Sequence, residues 1–189
     1  MPRPEAIVIG CSAGGLTALE SLFADLSPAL PQPIAVCCHT GSATVDLLCE
    51  LLDKHATLPV EEARERAPLG GGVIHVAPSG YHLLVETSRR FSLSVDQRVS
   101  FARPSIDVLF DSAAEAYGEA LIGVVLTGAN SDGAEGLLRI KQCGGIAIVQ
   151  DPADAEVPAM PAAALERAGA DHCLPLAAIA PLLNRLCLP

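Results

Sequence analysis

Aromatic side chains are scarce in this chain: 3% of its 189 residues are Phe, Tyr or Trp, and Trp is absent. Tyr81, Tyr117 and four Phe cannot build the stacking platform that bases or sugar rings require, so aliphatic packing must carry the core. Basic charge is also short. Twelve Lys and Arg stand against 22 Asp and Glu, a net charge of −10, and no basic cluster is dense enough to leave an electrostatic footprint for nucleic acid. No apolar run approaches the ~18 residues of a membrane span, and "MPRPEAIVIG" lacks the basic region and long apolar stretch of a signal peptide. A chain that neither enters a membrane nor is exported is expected. The seven cysteines are odd in number and form no CxxC pair, so neither a disulfide framework nor a zinc site fits. Set in apolar runs, they read as small buried hydrophobes in a reducing compartment, and the cytoplasm is the expected location. His55, His75, His82 and His172 show no metal-ligand spacing and read as packing or surface residues. Neither a metal nor a cofactor is expected.

Half of the chain is hydrophobic, enough for a sizeable core, and its length suits one domain over residues 1–189. Short apolar runs alternate with amphipathic stretches. "AIVIG" reads as a buried strand, and "GLTALESLFADL" places Leu16, Leu19, Leu22, Phe23 and Leu26 on one helical face. "PIAVCC" then gives a second strand and "SATVDLLCELLDKH" a second helix, which makes a βαβ unit. The Gly- and Pro-punctuated stretch "PLGGGVIHVAPSGYHLLVETSRRFSLSV" suggests a hairpin-like excursion. Alternation resumes with a helix in "RPSIDVLFDSAAEAYG", strands in "ALIGVVLTG" and "GIAIVQ", and helices in "SDGAEGLLRIKQCG", "PAMPAAALERAG" and "PLAAIAPLLNRL". The expected fold is α/β: a doubly wound, mostly parallel sheet with helices on both faces and a small antiparallel hairpin excursion.

Ligands in such folds bind beyond the C-terminal ends of the strands. Ser12 follows "AIVIGC", His39 follows "IAVCC", and Asp132 follows "VVLTGANS". A hydroxyl, an imidazole and a carboxylate on one rim are the parts of an acyl-transfer triad. Each also has a plainer use: Ser12 as a helix cap, His39 as a hydrogen-bonded structural histidine, Asp132 as a cap or turn residue. "GCSAGG" resembles a glycine-rich phosphate loop only superficially, since it fits neither GxGxxG nor GxxxxGK[ST].

Taken together, these segments resemble the catalytic domain of the chemotaxis protein-glutamate methylesterases, the CheB family, nearly end to end. "IGCSAGG" is similar to that family's serine motif, "IAVCCH" to its strand ending in histidine, and "LTGANSDGAEG" to its L-T-G-M-G-x-D-G-x-x-G segment. "HVAPSGYHLLV", "RPSIDVLFDSAAEAYG" and "MPAAALERAGAD" also resemble family segments, in the same order. The resemblance implies hydrolysis of glutamate γ-methyl esters on chemoreceptor helices with release of methanol, and glutamine deamidation as a related reaction. It puts Ser12, His39 and Asp132 at the triad positions. The backbone N–H of Ala13, with another from the Ala129 to Asn130 loop, becomes the candidate oxyanion hole, and Thr40 and Met160 fall near the site. Departures from the family pattern fall at Cys38, Thr40, Ala129 and Asn130, and Asn130 stands where a glycine with positive φ is common. They keep open a serine esterase or amidase of the same fold with another substrate, beside a catalytically silent binding module. Because the first strand begins by about Ala6, no receiver domain fits ahead of it in this sequence, and of the two readings, a stand-alone esterase or an excised domain, the stand-alone esterase is expected.

Overall fold

The computed structural model describes residues 3–39 and 45–189. Its order begins β1 (Ala6–Cys11), α1 (Gly15–Ala24), β2 (Ile34–Cys38), α2 (Val45–Asp53), β3 (Val60–Glu62), β4 (Ile74–Val76), β5 (His82–Val85) and β6 (Phe91–Ser94). It continues α3 (Ile106–Tyr117), β7 (Leu121–Val125), α4 (Ala134–Gln142), β8 (Ile146–Gln150), α5 (Ala159–Ala168), β9 (His172–Leu174) and α6 (Leu176–Cys187). Seven strands form one sheet in the order β3-β4-β2-β1-β7-β8-β9, and every neighbouring pair runs parallel. The antiparallel pair β5-β6 stands apart from it.

Every residue of β1, β2, β7 and β8 is buried, the mark of a parallel sheet covered on both faces. Alternate residues of β1 divide between two cores. Ile7, Ile9 and Cys11 pack with Leu19 and Leu22 of α1, Leu48 and Leu52 of α2, and Ile179 and Leu183 of α6. Ala6 and Val8 face Leu109 and Phe110 of α3, Leu137 and Ile140 of α4, and Met160 and Ala164 of α5. The chain winds outward from β1 in one direction, then returns beside β1 at β7 and winds the other way. That reversal opens a crevice at the carboxyl ends of β1 and β7, where Ser12 and the loop bearing Asp132 emerge.

The expected fold is the observed one, with two differences of detail. Ile74–Val76 leaves the expected hairpin excursion and joins the main sheet between β3 and β2, because its three side chains are buried there. Strands β3 and β9 were not expected; at three residues each they are too short to show a period in the sequence. The second helix starts at Val45 among the described residues, and Thr40, one of the residues expected near the site, lies outside them.

Gly10 marks a close helix-to-sheet approach near the rim: a Cβ there would collide with Ile106 Cγ2, at the first turn of α3. Gly10→Ala is therefore expected to push α3 away from the rim and to lower stability by about 1–3 kcal/mol, the usual cost of overpacking a core. Urea unfolding measures it; an unchanged midpoint would show that Ile106 yields without strain.

Candidate active site

Ser12 sits on the turn between β1 and α1. Gly14 is the N-cap of α1, its φ of 77° left-handed, and no side chain caps the helix. The plainer use of Ser12 as a cap is therefore not taken up, and its hydroxyl makes no hydrogen bond among the described residues. The backbone of Ser12 is pinned instead, its N–H donating to Thr127 O at 3.0 Å across the β1–β7 crevice. Thr127 Oγ1 donates in turn to Ala13 O at 2.9 Å. Ala13 is exposed beside the start of α1, and its N–H has no acceptor among the described residues.

His39 follows β2, with its N–H bonded to Cys11 O at 3.1 Å and its ring 15% exposed. Its Nε2 lies 2.9 Å from Asp132 Oδ2. Asp132 is fully buried. Beyond His39, it accepts from Ile106 N–H at 2.7 Å on Oδ2, and from Ser105 Oγ at 2.8 Å and Asp107 N–H at 2.9 Å on Oδ1. Two of these donors are the first backbone amides of α3, so the carboxylate occupies the positive end of that helix. Burial pushes its pKa up, yet the bonds from His39, Asp107, Ile106 and Ser105 outweigh burial and hold it below the ordinary aspartate value. The tautomer follows: with an ionised acceptor on Nε2, the neutral ring carries its proton there and leaves Nδ1 as the basic nitrogen. Asn130 Nδ2 lies 3.4 Å from that Nδ1, while Asn130 Oδ1 accepts from Asp132 N–H at 3.0 Å. Asn130 does not take up the positive φ expected of a residue in a glycine's place; the left-handed step falls on Gly133, with φ 98°.

Ser12, His39 and Asn130 line one cavity of about 340 Å³, with Cys38, Arg103 and Phe101 among its other walls. Ala129 is exposed on the same loop as Asn130. Met160 packs behind that loop: it is buried, its side chain fills the space a Cβ on Gly128 would need, and its N–H donates to Gly128 O at 2.9 Å. It supports the rim loop from below instead of lining the cavity. Among the described residues no cluster of His, Cys, Asp or Glu has the makings of a metal site.

Sequence reasoning missed Ser105 and Asp107, and read His82 as a packing or surface residue without its link to Ser105. Ser105 and Asp107 bracket the start of α3, and an S-x-D pattern at a helix start was the available signal. Asp107 returns the favour that Asp132 does to its helix: its Oδ1 accepts from Gly133 N–H at 2.9 Å and Gly136 N–H at 2.8 Å, capping α4. His82 is buried, accepts from Ser105 N–H on Nδ1 at 3.2 Å and reaches Gln97 O through Nε2 at 2.9 Å.

A free serine hydroxyl, an imidazole and a buried carboxylate gathered at the switch point of a doubly wound sheet are the equipment of an acyl-transfer hydrolase. The comparisons narrow that class. A family model described as CheB methylesterase matches residues 7–183, and the chain belongs to that family. A provisionally named protein-glutamate methylesterase/protein-glutamine glutaminase of Leptospira interrogans is 47% identical over 182 residues, covering 96% of this chain and 94% of that one. The protein-glutamate methylesterase/protein-glutamine glutaminase of Symbiobacterium thermophilum is 36% identical over 98% of this chain, which spans 51% of its length. The crystal structure of the CheB methylesterase catalytic domain of Thermotoga maritima superposes with a TM-score of 0.93 at 31% identity, covering 98% of this chain and all of that one.

Asp107 sets a pH dependence distinct from catalysis. Burial pushes its carboxyl up to about 6, opposed by the amides of Gly136 and Gly133 and reinforced by the negative charge of Asp132. Because this folded value lies above that of an unfolded aspartate, near 4, the stability the group contributes is present at low pH and lost as pH rises through about 6. Asn at 107 still offers an Oδ1 to both amides without the charge. Melting curves of Asp107→Asn should gain on the parent between about pH 4.5 and about pH 7.5. A gap that stays constant would show that Asp107 does not titrate in that range.

Proposed function

We propose that this chain hydrolyses glutamate γ-methyl esters on the cytoplasmic helices of chemoreceptors, releasing methanol, and deamidates glutamine by the same steps with ammonia as the leaving group. Family membership and the names of the relatives support the reaction class. The observation that carries the residue assignment is the His39–Asp132 pair beside a serine hydroxyl that caps nothing. The free thiols of all seven cysteines, five of them buried, suit the reducing cytoplasm. No described helix is long and apolar enough to cross a membrane.

In the proposed mechanism Ser12 Oγ attacks the ester carbonyl carbon while His39 Nδ1 takes the hydroxyl proton. Asp132 holds the Nε2–H and stabilises the imidazolium. The carbonyl oxygen becomes an oxyanion, met by the Ala13 N–H at the start of α1 and by an N–H of the Ala129 to Asn130 loop. Collapse of this intermediate breaks the bond to the methoxy oxygen, and His39 returns its proton to the departing methanol. Water, deprotonated by the same nitrogen, then attacks the acyl-enzyme and frees the glutamate carboxylate and Ser12.

Ser12→Ala should reduce methanol release from methylated receptor membranes by a factor on the order of 10⁴ or more. Its melting temperature should stay close to the parent's, since the hydroxyl supports no helix end. Near-native turnover in that variant would remove Ser12 from the mechanism. Ser12-dependent cleavage of nitrophenyl acetate by the parent, with receptor membranes left untouched, would replace the receptor by another ester.

A further inference from the structure

Beside the cavity lies a turn that the proposed chemistry does not use. Val99 and Ala102 exchange both backbone hydrogen bonds, Val99 N–H to Ala102 O at 3.1 Å and Ala102 N–H to Val99 O at 2.9 Å. Ser100 and Phe101 form the two-residue loop between them, with φ of 50° and 62°. Positive φ at both central positions is the mark of a type I′ turn, which strongly prefers Asn-Gly or Gly-Gly. A phenylalanine there is a steric outlier. Nothing in the fold rewards it, because Phe101 is 94% exposed. Scattered exposed apolar residues need no explanation. Here, however, three of the five large exposed hydrophobics among the described residues, Val95, Val99 and Phe101, fall in one nine-residue segment from Val95 to Arg103.

Charge in the segment runs against that of the chain. Arg98 and Arg103 have no acidic partner among the described residues, and Asp96 is the one carboxylate between Val95 and Arg103, in a protein of net charge −10. Arg103 Nη1 donates to Val95 O at 2.8 Å and Asp96 O at 3.1 Å, tying the base of the turn, while its Nε–H is buried without an acceptor. Arg98, Phe101 and Arg103 line the same cavity as Ser12 and His39. The turn is also tied to the catalytic carboxylate, since Gln97 O is held by His82, which accepts from Ser105 N–H, and Ser105 Oγ donates to Asp132.

We infer that the Val95–Arg103 turn is the docking element for the protein substrate, with Phe101 entering an apolar seam between helices and Arg98 and Arg103 meeting carboxylates on an acidic helical surface. The inference rests on the proposed receptor substrate. A surface modified at glutamates carries unesterified glutamates around the ester, so it supplies the negative charge that the two arginines lack. Aromatic residues, Phe among them, and arginine are also enriched in the cores of protein interfaces.

The test uses Phe101→Asn, which suits positive φ and spares the turn, and Arg98→Glu, which reverses an exposed charge. Each is placed in the full chain and again in the inert Ser12→Ala background. Co-sedimentation of the inert proteins with methylated receptor membranes should show binding weakened about tenfold or more by either substitution, with the salt dependence reduced by Arg98→Glu. In the active proteins, the ratio of kcat/KM on receptor to kcat/KM on nitrophenyl acetate should fall by a similar factor. Inert parent protein that fails to bind, or variants that bind and turn over receptor like the parent, would overturn the docking role. Binding that depends on Phe101 and Arg98 without methanol release from the parent would leave the docking role standing and overturn the proposed reaction.

Discussion

Two helix N-termini face one another under the rim, and each holds a carboxylate that belongs to the other's approach. Asp132, just ahead of α4, takes the first amides of α3, while Asp107, in the first turn of α3, takes the amides of Gly133 and Gly136 at the start of α4. A carboxylate sealed from water needs donors for its lone pairs, and a helix start needs acceptors for its free amides. Crossing the two satisfies both demands at once. It also requires the helices to lie close: Gly136 stands where a Cβ would come within 2.5 Å of Phe110 Cβ. The position of His39 depends on this arrangement, because the oxygen that orients its ring is fixed by α3 and not by the loop that carries it.

The same cluster separates two acids of one residue type. Asp132 receives four donors, including the imidazole, and its pKa is held down; Asp107 receives two, feels the charge of its neighbour, and rises to about 6. Environment separates them, one carboxylate held toward its ionised form beside the imidazole and the other a helix cap that tolerates protonation.

The alternation of apolar runs and amphipathic stretches made the doubly wound sheet legible, since fully buried strands and one-sided helices have different periods. Ser12 and His39 were legible because each follows directly on a strand, and Asp132, in the loop after β7, because the family resemblance marked it. Capping was not, for the partners of Asp132 arrive from a helix start about 25 positions away, a distance no local pattern spans. The turn at Ser100 and Phe101 was hidden for the opposite reason: its sequence lacks the glycine or asparagine by which such turns announce themselves. Likewise Asn130, expected to need a left-handed backbone, escapes it because Gly133 takes that conformation three residues later.

The place of β1 in the sheet has a consequence for how the molecule comes into being. As the first of the seven strands in sequence and the central one in the finished sheet, it can pair with β2 early in synthesis, whereas its other neighbour, β7, arrives about 110 residues later. Until then the emerging half-sheet presents an unpaired, wholly apolar flank, the kind of surface that chaperones guard. Since His39 and Asp132 are 93 positions apart and lie on opposite sides of that late closure, the imidazole and the carboxylate come together only once β7 has joined the sheet.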